Sequence, residues 1–369
     1  MRVEGTNPRR PPFRADHVGS LLRPRSLLEM RARVDRGEES IEALRAHEDD
    51  CIRRVVGLQE SIGLEAVTDG EYRRESFHGD FLRRIDGVEF KQVGRPGDSG
   101  KAPFVAVVSA KMRRPPDGIE VENFRFLHSV TNRTAKQTIP SPTMVHFRGG
   151  RQAIDAVAYP EIEEFFDDLA RIYREEIAAL AVAGCRYLQL DDTNLAYLCD
   201  ERIRAQVRGR GEDIDRLPHD YARLINASLA GRPDDMGVCI HLCRGNARSR
   251  WFAEGGYEPV AEIVFNEIDV DGFFLEYDDE RSGDFSPLRF VPPGKRVVLG
   301  LVTTKRGALE SRDEIMRRVD EAARHVPLEQ LCLSPQCGFA SAMQGNLLSE
   351  DEQKAKLALV VELAREIWG

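Results

Sequence analysis

No apolar run in this sequence approaches the roughly 18–20 residues that a transmembrane helix needs. The first residues also lack the apolar segment of a secretory signal, so we expect a cytoplasmic protein without membrane contact. The 53 Lys and Arg are outnumbered by 62 Asp and Glu, and the net charge of −9 disfavours a nucleic-acid partner. Neither GxGxxG nor GxxxxGK[ST] follows a strand-like run, so a nucleotide-binding fold has no motif support.

The seven cysteines do not suggest a disulfide framework. Their number is odd, the chain is 369 residues long, and the expected compartment is reducing. A thiol inside an apolar run, such as Cys332, is then expected in the core. A thiol in a polar, glycine-containing motif, such as Cys243 or Cys337, becomes a candidate metal ligand or nucleophile.

Short β-type runs alternate with amphipathic helical stretches along the chain. Alternation of this kind is typical of a parallel sheet covered by helices. Eight strand candidates predict a single (β/α)8 TIM barrel over residues 1–369, with a doubly wound open sheet as the structural alternative. The strand candidates are residues 15–20, 66–71, 137–142, 187–192, 236–243, 272–277, 297–302 and 330–336.

One segment interrupts the alternation. Residues 90–128 are rich in Gly, Pro and basic residues around a β-like core, FVAVVSAKM. We predict a β-hairpin inserted after the second strand, which could serve as a lid or as a dimer contact. Together with the amphipathic C-terminal helix, this insertion is compatible with a homodimer.

Four residues near predicted strand ends have side chains that bind zinc. In CIHLC, His241 and Cys243 are two apart on a strand and therefore point to the same side. Glu276 ends a very apolar strand, where a carboxylate is costly unless it is paired or metal-bound, and Cys337 follows the last strand. These strand ends meet at one rim of a barrel, and the set suits Zn²⁺. The alternative is a structural role for each, such as a salt bridge from Glu276 to Arg281.

The charge of this ligand set indicates what the zinc would do. Two thiolates and one carboxylate would leave the zinc site with a net negative charge. Such a site is a weak Lewis acid for activating water. It is better suited to binding an incoming thiol, lowering its pKa and keeping the thiolate nucleophilic.

Three further strand ends carry polar side chains that suit an amino-acid substrate. Glu71 and Asp191 could bind an ammonium group, and Ser20, which follows Gly19, could bind a carboxylate. The other interpretation is that Asp191 or Asp192 caps the helix that follows. Asp192 is also a candidate for proton transfer.

Six short motifs follow one another in the chain: HVGS (17–20), DGE (69–71), LDD (190–192), HLC (241–243), FLEY (274–277) and SPQCG (334–338). In this order they resemble the catalytic barrel of the cobalamin-independent methionine synthase family, and most closely its short, single-barrel members. The resemblance runs from about Asp16 to the C-terminus. It implies a barrel that methylates homocysteine to methionine.

The resemblance also implies roles for individual residues. The zinc ligands of the family match four positions: His241, Cys243, Glu276 and Cys337. Homocysteine binds this zinc through its sulfur. The acidic residues that hold its amino group match Glu71 and Asp191, and the Gly-Ser segment of the family matches Gly19 and Ser20.

The chain differs from the long family members in two sequence stretches that, in those proteins, serve the methyl donor. Those proteins carry a tryptophan after the third strand and a D-x-H-S motif after the seventh. Here the first stretch reads IPSPTMVHFRGG, with Met144 and His146 as donor-binding candidates, and the second reads GLVTTKRG, with Lys305 as a candidate for proton transfer. Neither Trp251 nor Trp368 lies in these stretches. The donor is therefore left open between a methylfolate and a methylated corrinoid, with a corrinoid protein as a further partner.

Three functions remain open at this point. The first is zinc-dependent methyl transfer to homocysteine. The second is alkylation of another thiol, such as coenzyme M by an epoxide, in which Lys305, Tyr277 or His146 could assist ring opening. The third is a zinc-binding module without turnover, which the polar strand ends and the inserted hairpin disfavour.

Overall fold

The computed structural model describes residues 10–92, 104–246 and 248–369. Its strands are β1 (Ala66–Val67), β2 (Asp86–Gln92), β3 (Phe104–Arg113), β4 (Thr134–Pro140), β5 (Tyr187–Asp192), β6 (Gly237–Leu242), β7 (Gly272–Glu276), β8 (Arg296–Val302) and β9 (Leu331–Pro335). Seven of them form one parallel sheet in the order β1-β4-β5-β6-β7-β8-β9, and β2 pairs with β3 in a second, antiparallel sheet.

The segment before β1 joins the two edges of the parallel sheet. Ala15 forms a parallel bridge with Leu333 of β9. The Thr68 hydroxyl, just after β1, donates a hydrogen bond to the Gly19 carbonyl at 2.7 Å. The N-terminal segment therefore occupies the place of the first of the eight predicted strands. The predicted TIM barrel is confirmed, and the doubly wound open sheet is not the fold of this chain.

Helices connect the strands on the outside of the barrel. The α-helices are α1 (Arg25–Asp35), α2 (Ile41–Ile62), α3 (Gly79–Arg83), α4 (Val121–Ser129), α5 (Ile162–Val182), α6 (Asn194–Tyr197), α7 (Glu201–Gly209), α8 (Leu217–Leu229), α9 (Glu258–Glu267), α10 (Arg312–Ala322) and α11 (Glu350–Trp368). Short 3₁₀ turns cover Pro142–Val145, Gly150–Ala153, Glu280–Ser282, Ser286–Phe290 and Leu328–Gln330. In the described ranges, no helix combines the length and the apolar character that a membrane span requires.

Helix α2 illustrates how the local sequence determines where a helix begins, where it ends and which face it buries. It begins after Ser40, whose hydroxyl accepts a hydrogen bond from the Ala43 N–H. It ends at Gly63, which has a φ of 99° in the left-handed region that favours glycine. Its buried residues, Ile52 and Val56 among them, recur at helical spacing and face the core.

The hairpin of β2 and β3 is the insertion that the sequence predicts after the second strand. The two strands pair antiparallel, and their connection over 93–103 lies outside the described residues. The sheet begins before the predicted 90–128 segment, and the last part of that segment forms α4. It forms a helix because Val121, Phe124 and Leu127 place one apolar face on the core. A role of the hairpin as a lid or dimer contact stays a prediction.

The register of the parallel strands gathers their carboxyl ends at one rim. Asp191 of β5 is the Cα partner of His241 in β6, and Glu276 of β7 is the partner of Gly300 in β8. Cys337 follows β9 by two residues. The strand-end residues singled out by the sequence therefore meet at what we call the carboxyl-terminal rim.

Candidate metal and substrate site

A cavity of about 1040 Å³ lies at the carboxyl-terminal rim. Its buried end, called the floor below, is lined by Ser20, Glu71, Asp191, His241, Cys243 and Cys337. Its more exposed end, called the mouth, is lined by Arg148, Arg210, Arg248, Arg250, Trp251, Phe252 and Leu347. This volume is at the upper end of the range for ligand cavities, which leaves room for two small molecules.

Three floor residues and Glu276 form a cluster of metal-ligating atoms. One atom from each of His241, Cys243, Glu276 and Cys337 lies within 4.8 Å of the other three. The two cysteine Sγ atoms are 3.4 Å apart. Neighbouring sulfurs of a tetrahedral zinc site are about 3.8 Å apart, because each Zn–S bond is about 2.3 Å long. The cluster therefore has the dimensions of such a site.

The hydrogen bonding of the cluster also fits a metal ion. Among the described residues, neither ring nitrogen of the buried His241 has a hydrogen-bond partner. An unsatisfied buried nitrogen costs free energy that a bound group would recover. The hydrogen bond between the two thiols lowers the pKa of Cys337 and raises that of Cys243. Cysteine binds a metal as the thiolate, so metal binding displaces the proton of each thiol that carries one.

Two neighbours hold the Glu276 carboxylate in place. Its Oε1 accepts a hydrogen bond from the Arg244 backbone N–H at 3.1 Å, and its Oε2 accepts one from Arg281 at 2.8 Å. Burial raises the pKa of Glu276. The salt bridge that the sequence offered as an alternative is thus present together with the cluster. Residues bonded to metal ligands commonly fix ligand orientation in this way.

The Glu71 and Asp191 carboxylates lie on the floor beside the cluster. Burial raises the pKa of both, that of Asp191 to about 7, and the Glu71 carboxylate contributes to the shift of Asp191. Arg74 is 3.6 Å from Glu71, but it also lies 3.4 Å from Glu120. Asp191 accepts a hydrogen bond from a glutamine side chain and has no ion pair among the described residues. The pair therefore favours the binding of a cationic group.

The DGE motif directs Glu71 to the floor through a tight turn. Glu71 has a φ of 59°, which residues with side chains rarely adopt. Its backbone N–H donates to Asp69 Oδ1 at 2.8 Å, and its Oε1 accepts a hydrogen bond from the Thr138 hydroxyl at 2.9 Å. The carboxylate is thus held by both its own turn and the neighbouring strand β4.

Gly19 leaves the space in which Glu71 and Thr138 meet. Its φ is 142°, and a Cβ there would lie 2.7 Å from Thr138 Cγ2 and 3.2 Å from Glu71 Oε1. Gly19→Ala should therefore lower the free energy of unfolding by about 1–3 kcal/mol, measured by urea denaturation. Gly37→Ala is the matched control, because Gly37 also has a positive φ but no atom within 4 Å of a built Cβ. Equal losses in both variants would contradict the steric explanation.

Ser20 is the fourth predicted substrate-binding residue at this end of the barrel. It lines the floor, and its hydroxyl oxygen accepts a hydrogen bond from the Ala340 N–H at 3.3 Å. Within the described ranges this hydroxyl donates no hydrogen bond, so its proton is available to a ligand. Gly19 acts through the space it leaves rather than through a side chain.

The three predicted proton-transfer residues do not line the cavity. Asp192 accepts backbone hydrogen bonds at the start of α6, as in the alternative interpretation of a helix cap. Tyr277 is buried and packs between other aromatic rings. Lys305 forms an ion pair with Asp278 at 2.8 Å. Direct proton transfer from these side chains to a ligand in the cavity therefore lacks geometric support.

The two predicted donor-binding residues also lie off the cavity. His146 Nδ1 is hydrogen-bonded to the Tyr221 hydroxyl at 2.9 Å, and Met144 is buried among core residues. The 3₁₀ turn Pro142–Val145 redirects the chain after β4, and the cavity is lined instead by Phe147 and Arg148.

Residues after β6 were missed by sequence reasoning. Trp251 and Phe252 line the mouth although they are nine residues beyond the end of β6 or more. A signal was present, because the HLC motif is followed by RGNARSRWF, with three arginines and two aromatic residues. Their path over the cavity depends on contacts with distant loops, which the sequence pattern does not show.

A family model and several known proteins match this chain along most of its length. The family model described as the catalytic domain of cobalamin-independent synthase matches residues 14–366. The chain is 45% identical to the uncharacterized protein YxjH of Bacillus subtilis over 386 aligned residues, which cover 98% of this chain and 96% of that protein. It is 25% identical to the methionine synthase of Pyrococcus abyssi over 322 residues, covering 87% of this chain and 85% of that protein.

Solved structures show the same fold. A Listeria monocytogenes protein described as a "Putative Vitamin-B12 Independent Methionine Synthase" superposes with a TM-score of 0.77 at 39% identity, covering 97% of this chain and 98% of that one. A B12-independent methionine synthase from Shewanella sp. W3-18-1, in complex with selenomethionine, gives a TM-score of 0.71 at 19% identity over 96% and 97% of the two chains. The second likeness concerns the fold alone.

Proposed function

The chain belongs to the family of the cobalamin-independent synthase catalytic domain, and we propose that it transfers a methyl group to the thiol of homocysteine, giving methionine. The observation that carries this proposal is the floor of the cavity, where the four-residue metal-ligating cluster adjoins Glu71 and Asp191. Such a floor can bind the thiol and the ammonium group of one amino acid side by side. The name of the Pyrococcus relative supports this activity.

The donor set of the cluster favours zinc. Two cysteine sulfurs, one histidine nitrogen and one carboxylate oxygen are ligands that zinc accepts in tetrahedral sites. When bound, zinc lowers the pKa of a coordinated thiol and keeps it nucleophilic at neutral pH. Within the chain, Arg281 and the Arg244 backbone orient the Glu276 ligand.

The remaining floor residues bind the acceptor amino acid. Glu71 and Asp191 accept hydrogen bonds from its ammonium group, and Ser20 donates its hydroxyl proton to the carboxylate. Because both acidic side chains are buried, their charges act in a medium of low dielectric constant. A thiol with an anionic group in that place, such as coenzyme M, would be repelled.

The cavity also positions the acceptor and the donor relative to each other. The acceptor lies on the buried floor, so bulk water is excluded from the sulfur. The donor approaches from the mouth. A carbon–sulfur bond forms while the bond between the methyl carbon and its donor atom breaks, and the fixed positions of both molecules favour an in-line path.

Metal content and thiol binding test this function together. The protein purified with its metal should hold about one zinc per chain and release about one proton when homocysteine binds, measured in weakly buffered solution. Removing the metal with a chelator should abolish both proton release and methyl transfer, and added zinc should restore them. The measurement uses elemental analysis and a pH indicator.

Two ligands serve as controls for this experiment. Methionine has the same ammonium and carboxylate groups but no thiol, so it should bind without releasing a proton when the pH is well above the Asp191 pKa of about 7. Coenzyme M has a thiol but no ammonium, so it should neither bind tightly nor release a proton. Full methyl transfer by metal-free protein would contradict the metal assignment, and proton release with coenzyme M alone would contradict the amino-acid acceptor.

A further inference from the structure

We infer that the buried charge of Arg244 makes the site selective for a sulfur that carries a negative charge, so that homocysteine is held as its thiolate and neutral methionine is released. Arg244 does not line the cavity, so it acts on the ligand from a distance and is a positioning residue. This inference rests on the proposed function, because it concerns the acceptor of the same reaction. Arg244 directly follows the HLC motif, and neither that motif nor the ligand cluster includes it.

The guanidinium group of Arg244 is fully buried and has no hydrogen-bond partner. The residue is 0% exposed, and within residues 10–92, 104–246 and 248–369 none of its three guanidinium nitrogens donates a hydrogen bond. A buried charge is costly unless a group of opposite charge compensates it. Arginine cannot avoid this cost by losing its proton, because it stays protonated in proteins. A negative charge that arrives with a ligand would provide the compensation.

The backbone of Arg244 is held by the metal-ligating cluster and by the loop after β6. Its N–H donates a hydrogen bond to Glu276 Oε1 at 3.1 Å. Its carbonyl accepts hydrogen bonds from the N–H groups of Phe252 at 2.9 Å and Ala253 at 3.0 Å. None of these bonds involves the guanidinium group. A substitution of Arg244 can therefore remove the charge and leave the backbone contacts with the cluster in place.

Tyr257 connects the guanidinium group to the cluster. The Arg244 Cζ atom lies over the Tyr257 ring, 4.3 Å from its centre, where the ring attracts the cation. The Tyr257 hydroxyl accepts a hydrogen bond from the Glu276 N–H at 2.9 Å. The charge is therefore separated from a metal-ligating residue by a single buried ring, and no water lies within the ring to screen it.

The ion pairs around Glu276 leave a need for one more positive charge. They form a network of three carboxylates and two cations, made up of Glu276, Asp278, Asp279, Arg281 and Lys305. A zinc ion bound to two thiolates adds no net charge to this network. Without Arg244, an incoming thiolate would therefore meet a net negative charge. Arg244 brings the surroundings of the site to neutrality before the thiolate arrives.

Homocysteine and methionine differ in the charge of their sulfur. The sulfur of bound homocysteine is a thiolate, whereas that of methionine is a neutral thioether. Their ammonium and carboxylate groups are the same, so Glu71, Asp191 and Ser20 do not distinguish them. At an effective dielectric constant of about 20, a positive charge about 10 Å away raises the affinity for an anion by about tenfold and leaves that for a neutral group unchanged. Arg244 therefore favours the acceptor over the product.

Calorimetric binding of homocysteine and of methionine to the zinc-loaded protein tests the inference, at a pH well above the Asp191 pKa of about 7. Arg244→Met removes the charge and keeps an unbranched side chain in its place. The affinity for homocysteine should fall by about tenfold, and that for methionine should stay within about twofold of the original value. Zinc content should be unchanged, because the guanidinium group holds none of the metal-ligating atoms.

Tyr277→Phe is the matched control for the packing behind the cluster. Tyr277 is also buried, its ring centre lies 5.4 Å from that of Tyr257, and its hydroxyl has no hydrogen-bond partner among the described residues. The substitution alters this layer without changing its charge, so both affinities should stay within about twofold of the original values. Arg244→Gln, a second neutral variant with a different shape, should reproduce the loss for homocysteine.

Three results would overturn the inference. One is an equal loss of affinity for homocysteine and methionine in Arg244→Met, which would indicate a disturbed floor. Another is an unchanged homocysteine affinity in both neutral variants, or the same selective loss in Tyr277→Phe. The third is loss of the folded barrel or of bound zinc in both neutral variants, which would make Arg244 a structural residue. If the unmodified zinc-loaded protein bound no homocysteine, the proposed function would be contradicted instead.

Discussion

Cys337→Ser should leave the barrel folded, remove most of the bound zinc and lower methyl transfer by about 10³-fold or more. Serine fills nearly the same volume, so the packing around this buried position changes little. Its hydroxyl is not deprotonated at neutral pH and binds zinc weakly, whereas the thiolate is a strong ligand. Elemental analysis, circular dichroism and an activity assay measure the three parts of this result.

Cys332→Ser is the matched control for that variant. Cys332 is also a buried thiol, but it lies within β9 and outside the ligand cluster. The substitution buries a hydroxyl in an apolar environment and should lower the free energy of unfolding by about 1–3 kcal/mol while zinc content stays unchanged. Full zinc and full activity in Cys337→Ser would remove Cys337 from the site, and zinc loss in both variants would indicate a general effect on folding.

The second large effect is expected for Asp191→Asn. The amide has the shape of the carboxylate but no charge, so the acceptor ammonium loses one buried ionic partner. Losing one partner of a buried charge pair costs about 2–5 kcal/mol, which corresponds to a KM for homocysteine raised by about 30-fold or more. The kcat should change less, because the metal-ligating cluster is untouched. Steady-state kinetics with varied homocysteine separate the two constants.

Asp192→Asn is the matched control, because it removes the same carboxylate charge at the adjacent position. Asp192 is buried like Asp191, yet it accepts backbone hydrogen bonds at α6 and does not line the cavity. Asparagine can accept the same backbone hydrogen bonds at α6, so this variant should lose only the carboxylate acceptor of the Thr143 hydroxyl and leave the KM for homocysteine within a few-fold of the original value. If Asp192→Asn raised KM as strongly as Asp191→Asn, the assignment of the ammonium to Asp191 would have to be abandoned.

The sequence predicted the barrel well because its signals are local and repeated. Most of the parallel strands are short, largely apolar runs, and these runs end in polar residues at one rim. Two of the strand candidates, 15–20 and 66–71, correspond to the shortest pairings, with Ala15 in an isolated bridge and β1 only two residues long. The inserted hairpin was recognised by composition, but its boundaries depend on pairing between β2 and β3 that composition does not encode.

The metal-ligating cluster was also predictable, because strand periodicity and parallel register suffice to bring its residues together. His241 lies in β6 and Cys243 directly follows it, so their spacing places both on one side, and β7 lies next to β6. The same periodicity could have excluded Asp192, since adjacent residues on a strand point to opposite sides and Asp191 faces the floor.

The donor side was less predictable, because loops and not strands build it. Trp251 reaches the mouth through a loop whose path depends on hydrogen bonds to Asn346, nearly one hundred residues away in the chain. Lys305 turns to Asp278 instead of the cavity. The path of a loop and the orientation of its side chains depend on long-range contacts, and a linear motif contains no information about those contacts.

Arg281 contacts both the metal-ligating cluster and a residue of the cavity mouth. It donates to the Glu276 carboxylate at 2.8 Å, and its guanidinium covers the Trp251 ring at 5.1 Å. Thermodynamic linkage makes any coupling through this side chain reciprocal. If a bound metal changes the affinity for the donor by some factor, a bound donor changes the affinity for the metal by the same factor. A donor that binds more tightly to the metal-loaded protein would therefore protect the metal from a chelator to the same extent.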